Sequence, residues 1–279
     1  MSHIEGRFSG SGGALLYYQA WLPGTGRPRA ALVNLHGLGD HSGLYPNLAR
    51  EVPAWNLALY SFDMRGNGKS PGQRAYLTGW HEYREDLRAF LQLVRQWQPG
   101  LPLFLQGNSL GGLVVLEYAL HRKEQLAGVI AVAPPLGKLG VPPVLMALGK
   151  IFSRVLPRFS LRVGMDLTGL SRDPAVLQAV LDDPLFHRKG TARLSTEVTA
   201  AIDRVQESAG EFTLPLLILH GSADRMVSPE GSRKFFPKVR SAGSEFREYL
   251  GAYHVLFADV NAQEVLADLH RWIEGRLAE

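Results

Sequence analysis

No cysteine occurs in the 279 residues, which excludes disulfides, thiol nucleophiles and cysteine metal sites. No apolar run is long enough to cross a bilayer as a helix. The opening stretch "MSHIEGRFSGSGG" is polar and glycine-rich and lacks the apolar core of a secretion signal. Internal repeats and low-complexity tracts are absent too. Lysine is scarce, seven of the thirty basic residues, so arginine carries the surface charge. The net charge of +4 is small and scattered, which argues against a nucleic-acid partner. Together these absences predict a soluble, cytoplasmic protein.

What is present is enough apolar matter for a sizeable core: 46% of residues are hydrophobic and 20% charged, the composition of a globular chain. Short apolar runs at 14–23, 29–37, 56–63, 101–108, 128–135, 214–221 and 244–251 read as strands. Several are near-continuously apolar, as strands covered on both faces must be. Between them lie helical patterns. Trp80, Tyr83, Leu87, Phe90, Leu91, Val94 and Trp97 recur at three- and four-residue steps, and Val265, Leu266, Leu269, Trp272, Ile273 and Leu277 do the same near the C-terminus. The alternation predicts an α/β fold with a mostly parallel central sheet flanked by helices. From 136 to 211 no strand pattern appears. A structureless loop of that length is foreign to a compact domain, so this stretch reads as a helical insertion over a core formed by 1–135 and 212–279.

Residues 103–112 read "LFLQGNSLGG". Gly107-Asn108-Ser109-Leu110-Gly111 fits G-x-S-x-G, a weak signal alone. Here it follows a predicted strand and opens a predicted helix, the setting that projects a serine above a sheet. A serine hydroxyl needs a base, and the base an orienting carboxylate. Asp224 follows the strand at 214–221 and His254 follows the strand at 244–251, in the chain order Ser, Asp, His. The other histidines fit less well; His36 and His220 sit beside strand ends, in structural or oxyanion-supporting positions. Backbone amides of Leu110, after the serine, and Leu38, in the loop "LHGLGDHSG", are placed to stabilise a developing oxyanion.

Taken together, "HGLGDHSGLY", "SFDMRGNGKSPG", "PLFLQGNSLGG", "LHGSADRMVSP" and "YLGAYHVLFAD" resemble the successive landmarks of the monoacylglycerol lipase and lysophospholipase group of α/β-hydrolases. The resemblance spans nearly the whole chain. It implies the α/β-hydrolase fold with a helical cap, a serine esterase acting on single-chain acyl esters, and no cofactor or metal. Ser109, Asp224 and His254 fall on that group's triad positions, and Leu38 and Leu110 on its oxyanion positions. Gly37, Asp40 and Asn108 are the candidate substrate-binding residues. Departures are Asn108 and Asn67 where the group usually has His, Asp40 where it usually has Glu, and Leu44 where it often has Arg.

Fold relatives with an Asp nucleophile are disfavoured by Ser109. Thioesterase, C–C hydrolase and peptidase chemistry use the same triad and stay open, as does a ligand receptor on a hydrolase scaffold. Two expectations attach to the insertion. Its apolar residues between Leu139 and Leu156 (Leu139, Val141, Val144, Leu145, Met146, Leu148, Ile151, Phe152, Val155 and Leu156) suit the wall of an acyl pocket. The same stretch carries Lys138, Lys150, Arg154, Arg158 and Arg162 with no acidic residue from 136 to 164. Apolar and basic residues so mixed suit a helix that touches a lipid surface, although a cap helix with its stripe turned to the pocket would read the same way.

Overall fold

The computed structural model describes residues 1–121, 126–137, 143–162, 164 and 166–278, without the side chains of 143–147. Lys138, Leu139 and Val141 lie outside the described residues, as do the side chains of Val144, Leu145 and Met146.

Strands β1 (Ser2–Ser9), β2 (Leu15–Leu22), β3 (Ala31–Leu35) and β4 (Ala58–Phe62) are followed by β5 (Leu103–Asn108) and β6 (Gly128–Val132). The first helices are α1 (Pro46–Ala54), α2 (His81–Trp97) and α3 (Leu110–His121). After β6 comes the insertion: α4 (Pro143–Val155), β7 (Ser160–Arg162), α5 (Pro174–Asp182), β8 (Lys189–Thr191) and α6 (Ala192–Glu207). The chain closes with β9 (Leu216–Gly221), α7 (Glu230–Phe235), β10 (Glu245–Tyr249) and α8 (Ala262–Leu277).

Eight strands form one sheet in the order β1-β2-β4-β3-β5-β6-β9-β10. β1 and β2 run antiparallel, and every pairing from β4 to β10 is parallel. All five residues of β3, β4 and β6, and all six of β9, are buried, because helices cover both faces. Alternate residues serve alternate faces. Val33, Leu105 and Ile218 join α2 and α3 on one side. Leu32, Phe104 and Leu217 meet α1 and α8 on the other, through Leu48, Val52, Leu269 and Trp272.

Two departures from expectation are strands. β1 lies within the polar opening stretch, where six of its eight side chains are exposed and no alternation marks it. It is made by full backbone pairing with β2. Within the insertion, expected to hold no strand, β7 and β8 form an antiparallel pair. At three residues each they are too short to show a period.

The insertion is fastened to the core. Thr191 Oγ donates to Ala75 O at 2.6 Å, and His187 N donates to Gly39 O at 3.1 Å. His41 Nε2 lies 3.0 Å from Asp183 Oδ2.

Candidate active site

The loops after β3, β5, β9 and β10 carry Leu38, Ser109, Asp224 and His254. These strands run parallel within one sheet, so the four loops emerge at one carboxyl edge, where open α/β sheets place their ligands.

Ser109 has φ of 50°, a left-handed conformation that costs a non-glycine residue about 1–2 kcal/mol. The turn is pinned by Ser109 N donating to Val132 O at 2.8 Å and by Leu113 N donating to Ser109 O at 3.1 Å. The flanking glycines are required by close backbone approach. A Cβ on Gly107 would stand 2.2 Å from Gly111 O, and one on Gly111 would stand 2.6 Å from both Leu35 O and His36 O. Helix, strand and neighbouring loop thus meet with no room for side chains, and the serine is left facing the cavity.

His254 Nδ1–H donates to Asp224 Oδ2 at 2.7 Å, with both residues buried. That bond leaves Nε2 as the nitrogen free to take a proton. Asp224 Oδ1 accepts from the amides of Met226 and Val227 at 2.8 and 2.9 Å. Burial raises the Asp224 carboxyl. Hydrogen bonds from His220 and His254, with the His254 charge and the Val227 amide, outweigh it and hold the group well below the ordinary carboxylate range. Ser109 and His254 line the same cavity; among the described residues no hydrogen bond joins them, a common state before substrate binds.

Of the two strand-end histidines, His36 belongs to the loop after β3. Its Nδ1–H donates to Gly37 O at 2.7 Å and its Nε2 accepts from Met64 N at 2.9 Å. Burial lowers its pKa, so the ring stays neutral. His220 is instead buried against Asp224, with Nε2 3.4 Å from Oδ2 and 3.0 Å from Val227 O.

Gly37, Leu38, Asp40, Asn108 and Leu110 all border the cavity. Gly37 sits against the serine, since a Cβ there would be 3.3 Å from Ser109 Cβ. Tyr45 Oη donates to Asp40 Oδ2 and accepts from Gly37 N, both at 3.2 Å. The Asn108 amide is turned down into the sheet, donating to Asn34 Oδ1 at 2.7 Å and Leu35 O at 3.2 Å. Its donor is therefore committed to positioning the turn.

The cavity measures about 420 Å³. The insertion contributes Leu167, Leu170, Val176, Val180, Phe186 and Val198 to its wall. The expected wall residues Leu148, Ile151, Phe152, Val155 and Leu156 are not there; they are exposed to solvent. The correction has a structural cause: α4 packs on α6, and α5 with the segment from 166 to 170 fills the place over the serine.

Sequence reasoning missed Asp259. It accepts from Tyr253 N and Arg172 N at 2.8 Å and from Arg172 Nε at 2.9 Å. Burial raises its carboxyl, but the amides of Tyr253, Arg172 and Val260 pull it below the usual value. His254 N and Val255 N donate to Gly169 O and Leu170 O at 3.3 and 2.9 Å, so the histidine loop and the insertion are laced together. No spacing signals a contact spanning 87 residues.

A serine on a strained strand-to-helix turn, a histidine–carboxylate pair on later strand ends and an eight-stranded mostly parallel sheet define an α/β-hydrolase. The comparisons agree. The family model described as "Serine aminopeptidase, S33" matches residues 26–261, and the chain belongs to that family. It is 32% identical to the monoacylglycerol lipase of Mycolicibacterium smegmatis, over 98% of each chain. It is 30% identical to the human monoglyceride lipase, over 95% of this chain and 89% of that one. Among solved structures, the Paleococcus ferrophilus monoacylglycerol lipase superposes with a TM-score of 0.86 at 33% identity, over 94% of this chain and 99% of the other. The protein is a serine hydrolase.

Proposed function

We propose that the protein hydrolyses single-chain acyl esters, monoacylglycerols or lysophospholipids, through an acyl-enzyme. Ser109 Oγ attacks the ester carbonyl while His254 Nε2 takes its proton, and Asp224 steadies the imidazolium. The amides of Leu38 and Leu110 receive the oxyanion. His254 then protonates the departing alcohol. Water, deprotonated by His254, cleaves the acyl-serine to the free acid and regenerates the hydroxyl. The observation that carries this reading is the presence of Ser109 and His254, the latter bonded to Asp224, on an apolar cavity of about 420 Å³, in a chain whose relatives include monoacylglycerol lipases. Asp40, oriented by Tyr45, offers a polar contact for a head group. Residues 136–211 act as a cap over the core of 1–135 and 212–279, and a covered cavity admits one chain, so medium-chain monoacyl esters are preferred over triacylglycerols. Turnover of matched monoacylglycerols, lysophospholipids, thioesters and triolein, with fluorophosphonate labelling of Ser109, tests it. Faster cleavage of triolein or thioesters than of monoacylglycerol overturns the substrate assignment.

The cap also meets the substrate's lipid layer. Supporting this, Ile151, Val155 and Leu161 are 58%, 70% and 62% exposed, and Lys150, Arg154, Arg158 and Arg162 are exposed around them. An apolar patch ringed by arginine and lysine is the composition of an interfacial helix. Pelleting with anionic vesicles in excess of neutral ones, weakened by salt, is expected; equal pelleting refutes it.

A further inference from the structure

A second cavity, about 350 Å³ in volume, opens at the seam between core and insertion, away from Ser109 and His254. Thr78, Gly79, Trp80 and His81, which lead into the N-terminus of α2, form one side. Arg84 and His121 come from core helices, and Arg193, Glu197 and Arg204 from α6 of the insertion.

The charges of the described residues here do not cancel. Glu117, fully buried on α3, has Arg204 Nε at 3.3 Å and Arg84 Nε at 3.6 Å, with His121 Nδ1 at 3.6 Å. Glu197 holds Arg193 Nε at 3.4 Å and accepts from Trp80 N at 2.9 Å. Among the described residues, three guanidiniums thus face two carboxylates. The 17-residue helix α2 adds its positive end, which has no side-chain cap.

Hydrogen-bonding capacity is also left over. Trp80, 2% exposed, has an indole Nε1–H with no acceptor, and Arg204 Nη2 is likewise buried without a hydrogen-bond partner, whereas the unbonded Arg84 Nε and Glu117 Oε2 face each other at 3.6 Å. Leaving such donors unmet costs about 1–3 kcal/mol each, so the Trp80 and Arg204 donors point to an absent acceptor. Donors on several sides call for an anion with several oxygens, and guanidiniums suit phosphate oxygens. Apart from Trp80 the lining is polar, which leaves no bed for an acyl chain.

We propose that this seam is a binding site for a small soluble phosphate monoester, whose phosphate bridges Arg84 of the core to Arg193 and Arg204 of the insertion. Helix α6 borders both cavities, with Glu197 on the small one and Val198 on the large one. The bound anion therefore braces the helix that forms part of the substrate wall.

The test uses full-length protein with its tryptophans labelled with ¹⁵N, titrated with inorganic phosphate and with glycerol phosphate at ionic strength held constant by sodium chloride. The protein has five tryptophans, and Trp80→Phe assigns the indole signal that matters. A saturable shift of the Trp80 indole resonance is expected. Arg193→Gln should weaken the apparent affinity roughly tenfold by removing one charge-assisted contact. Arg193 is part-exposed and does not hold Glu117, so this variant keeps the buried cluster, which the other indole signals check. A shift that chloride reproduces, or equal affinity in Arg193→Gln, overturns the proposal. If neither soluble phosphate shifts the signal, but Arg193→Gln abolishes pelleting with phosphatidic-acid vesicles, the ligand is a lipid head group and the soluble-monoester assignment falls.

Discussion

Helices α3 and α4 are both apolar in sequence, "LGGLVVLEYALH" and "PVLMALGKIFSRV", and the fold treats them in opposite ways. α3 lies between the sheet and α6, and Leu113, Val114, Val115 and Leu116 have no exposed surface. α4 packs on α6, and among its described side chains the buried one is Ser153, whose Oγ lies 2.8 Å from Thr196 Oγ1. Among its described side chains, Ile151, Phe152 and Val155 face outward. An apolar helix covered on every side is core; one covered on its polar side presents a docking face. α3 therefore spends its hydrophobicity on the core, whereas α4 leaves much of its own in solvent.

The sharpest way to test that division is to remove chemistry from the core edge without disturbing either region. Ser109→Ala is expected to lower ester turnover by on the order of 10⁴ to 10⁶ while leaving the fold intact. Asp224→Asn should cost around 10⁴, because the imidazole loses its orienting anion. Steady-state kinetics on a soluble ester, with circular dichroism for the fold, checks both. Turnover of Ser109→Ala within tenfold of the parent would remove Ser109 as nucleophile.

A smaller effect separates the two helices directly. Leu116→Ala should destabilise by about 2–5 kcal/mol through transfer loss and the cavity left behind. Ile151→Ala and Val155→Ala should each stay within about 0.5 kcal/mol, yet reduce pelleting with anionic vesicles. Urea unfolding and sedimentation read the two outcomes. Comparable destabilisation by all three would mean that α4 belongs to the core.

The least effect expected is on the seam between the regions. His187 of the insertion accepts from Lys189 N at Nδ1 (3.2 Å) and reaches Asn67 Oδ1 through Nε2 (3.0 Å), so the folded state needs the ring neutral. Burial, then the nearby Arg74, lowers its pKa from 6.5 to about 4. Below pH 6.5 the unfolded chain takes a proton that the folded chain refuses. Stability is thus fully present above that pH, falls between about 6.5 and 4, and then levels off. After screening of a part-exposed group, the loss is about 1–2 kcal/mol. The lowered carboxyls of Asp224 and Asp259 act in a separate window, below their ordinary pKa. Urea unfolding at pH 7.5, 5.5 and 4.5 should show this slope in the parent and a shallower one in His187→Gln; identical slopes would exclude His187 as its source.

Much of this was legible in the sequence because it rests on local pattern. Strands buried on both faces must be apolar throughout, and β3, β4, β5, β6 and β9 were readable at nearly their observed limits, as were the less buried β2 and β10. The glycines around Ser109 announce a bend that only a close-packed strand-to-helix turn demands, and Asp224 and His254 stand where later strands run out. The strands β1, β7 and β8 were hidden, because one is a polar edge held by backbone pairing and the others are too short to carry a period. Asp259 was hidden because its partners lie far off in the chain.

The sequence by itself determined which segments need burial and which residues can do acyl chemistry, since periodicity, glycine placement and chain order are properties of neighbours along the chain. Tertiary structure alone decided which apolar segment is covered: that α5 walls the cavity while the described side chains of α4 do not, that Asn108 turns into the sheet, and that three arginines from core and insertion converge on one seam. A residue's hydrophobicity and charge are its own, whereas burial and pairing depend on what folds against it.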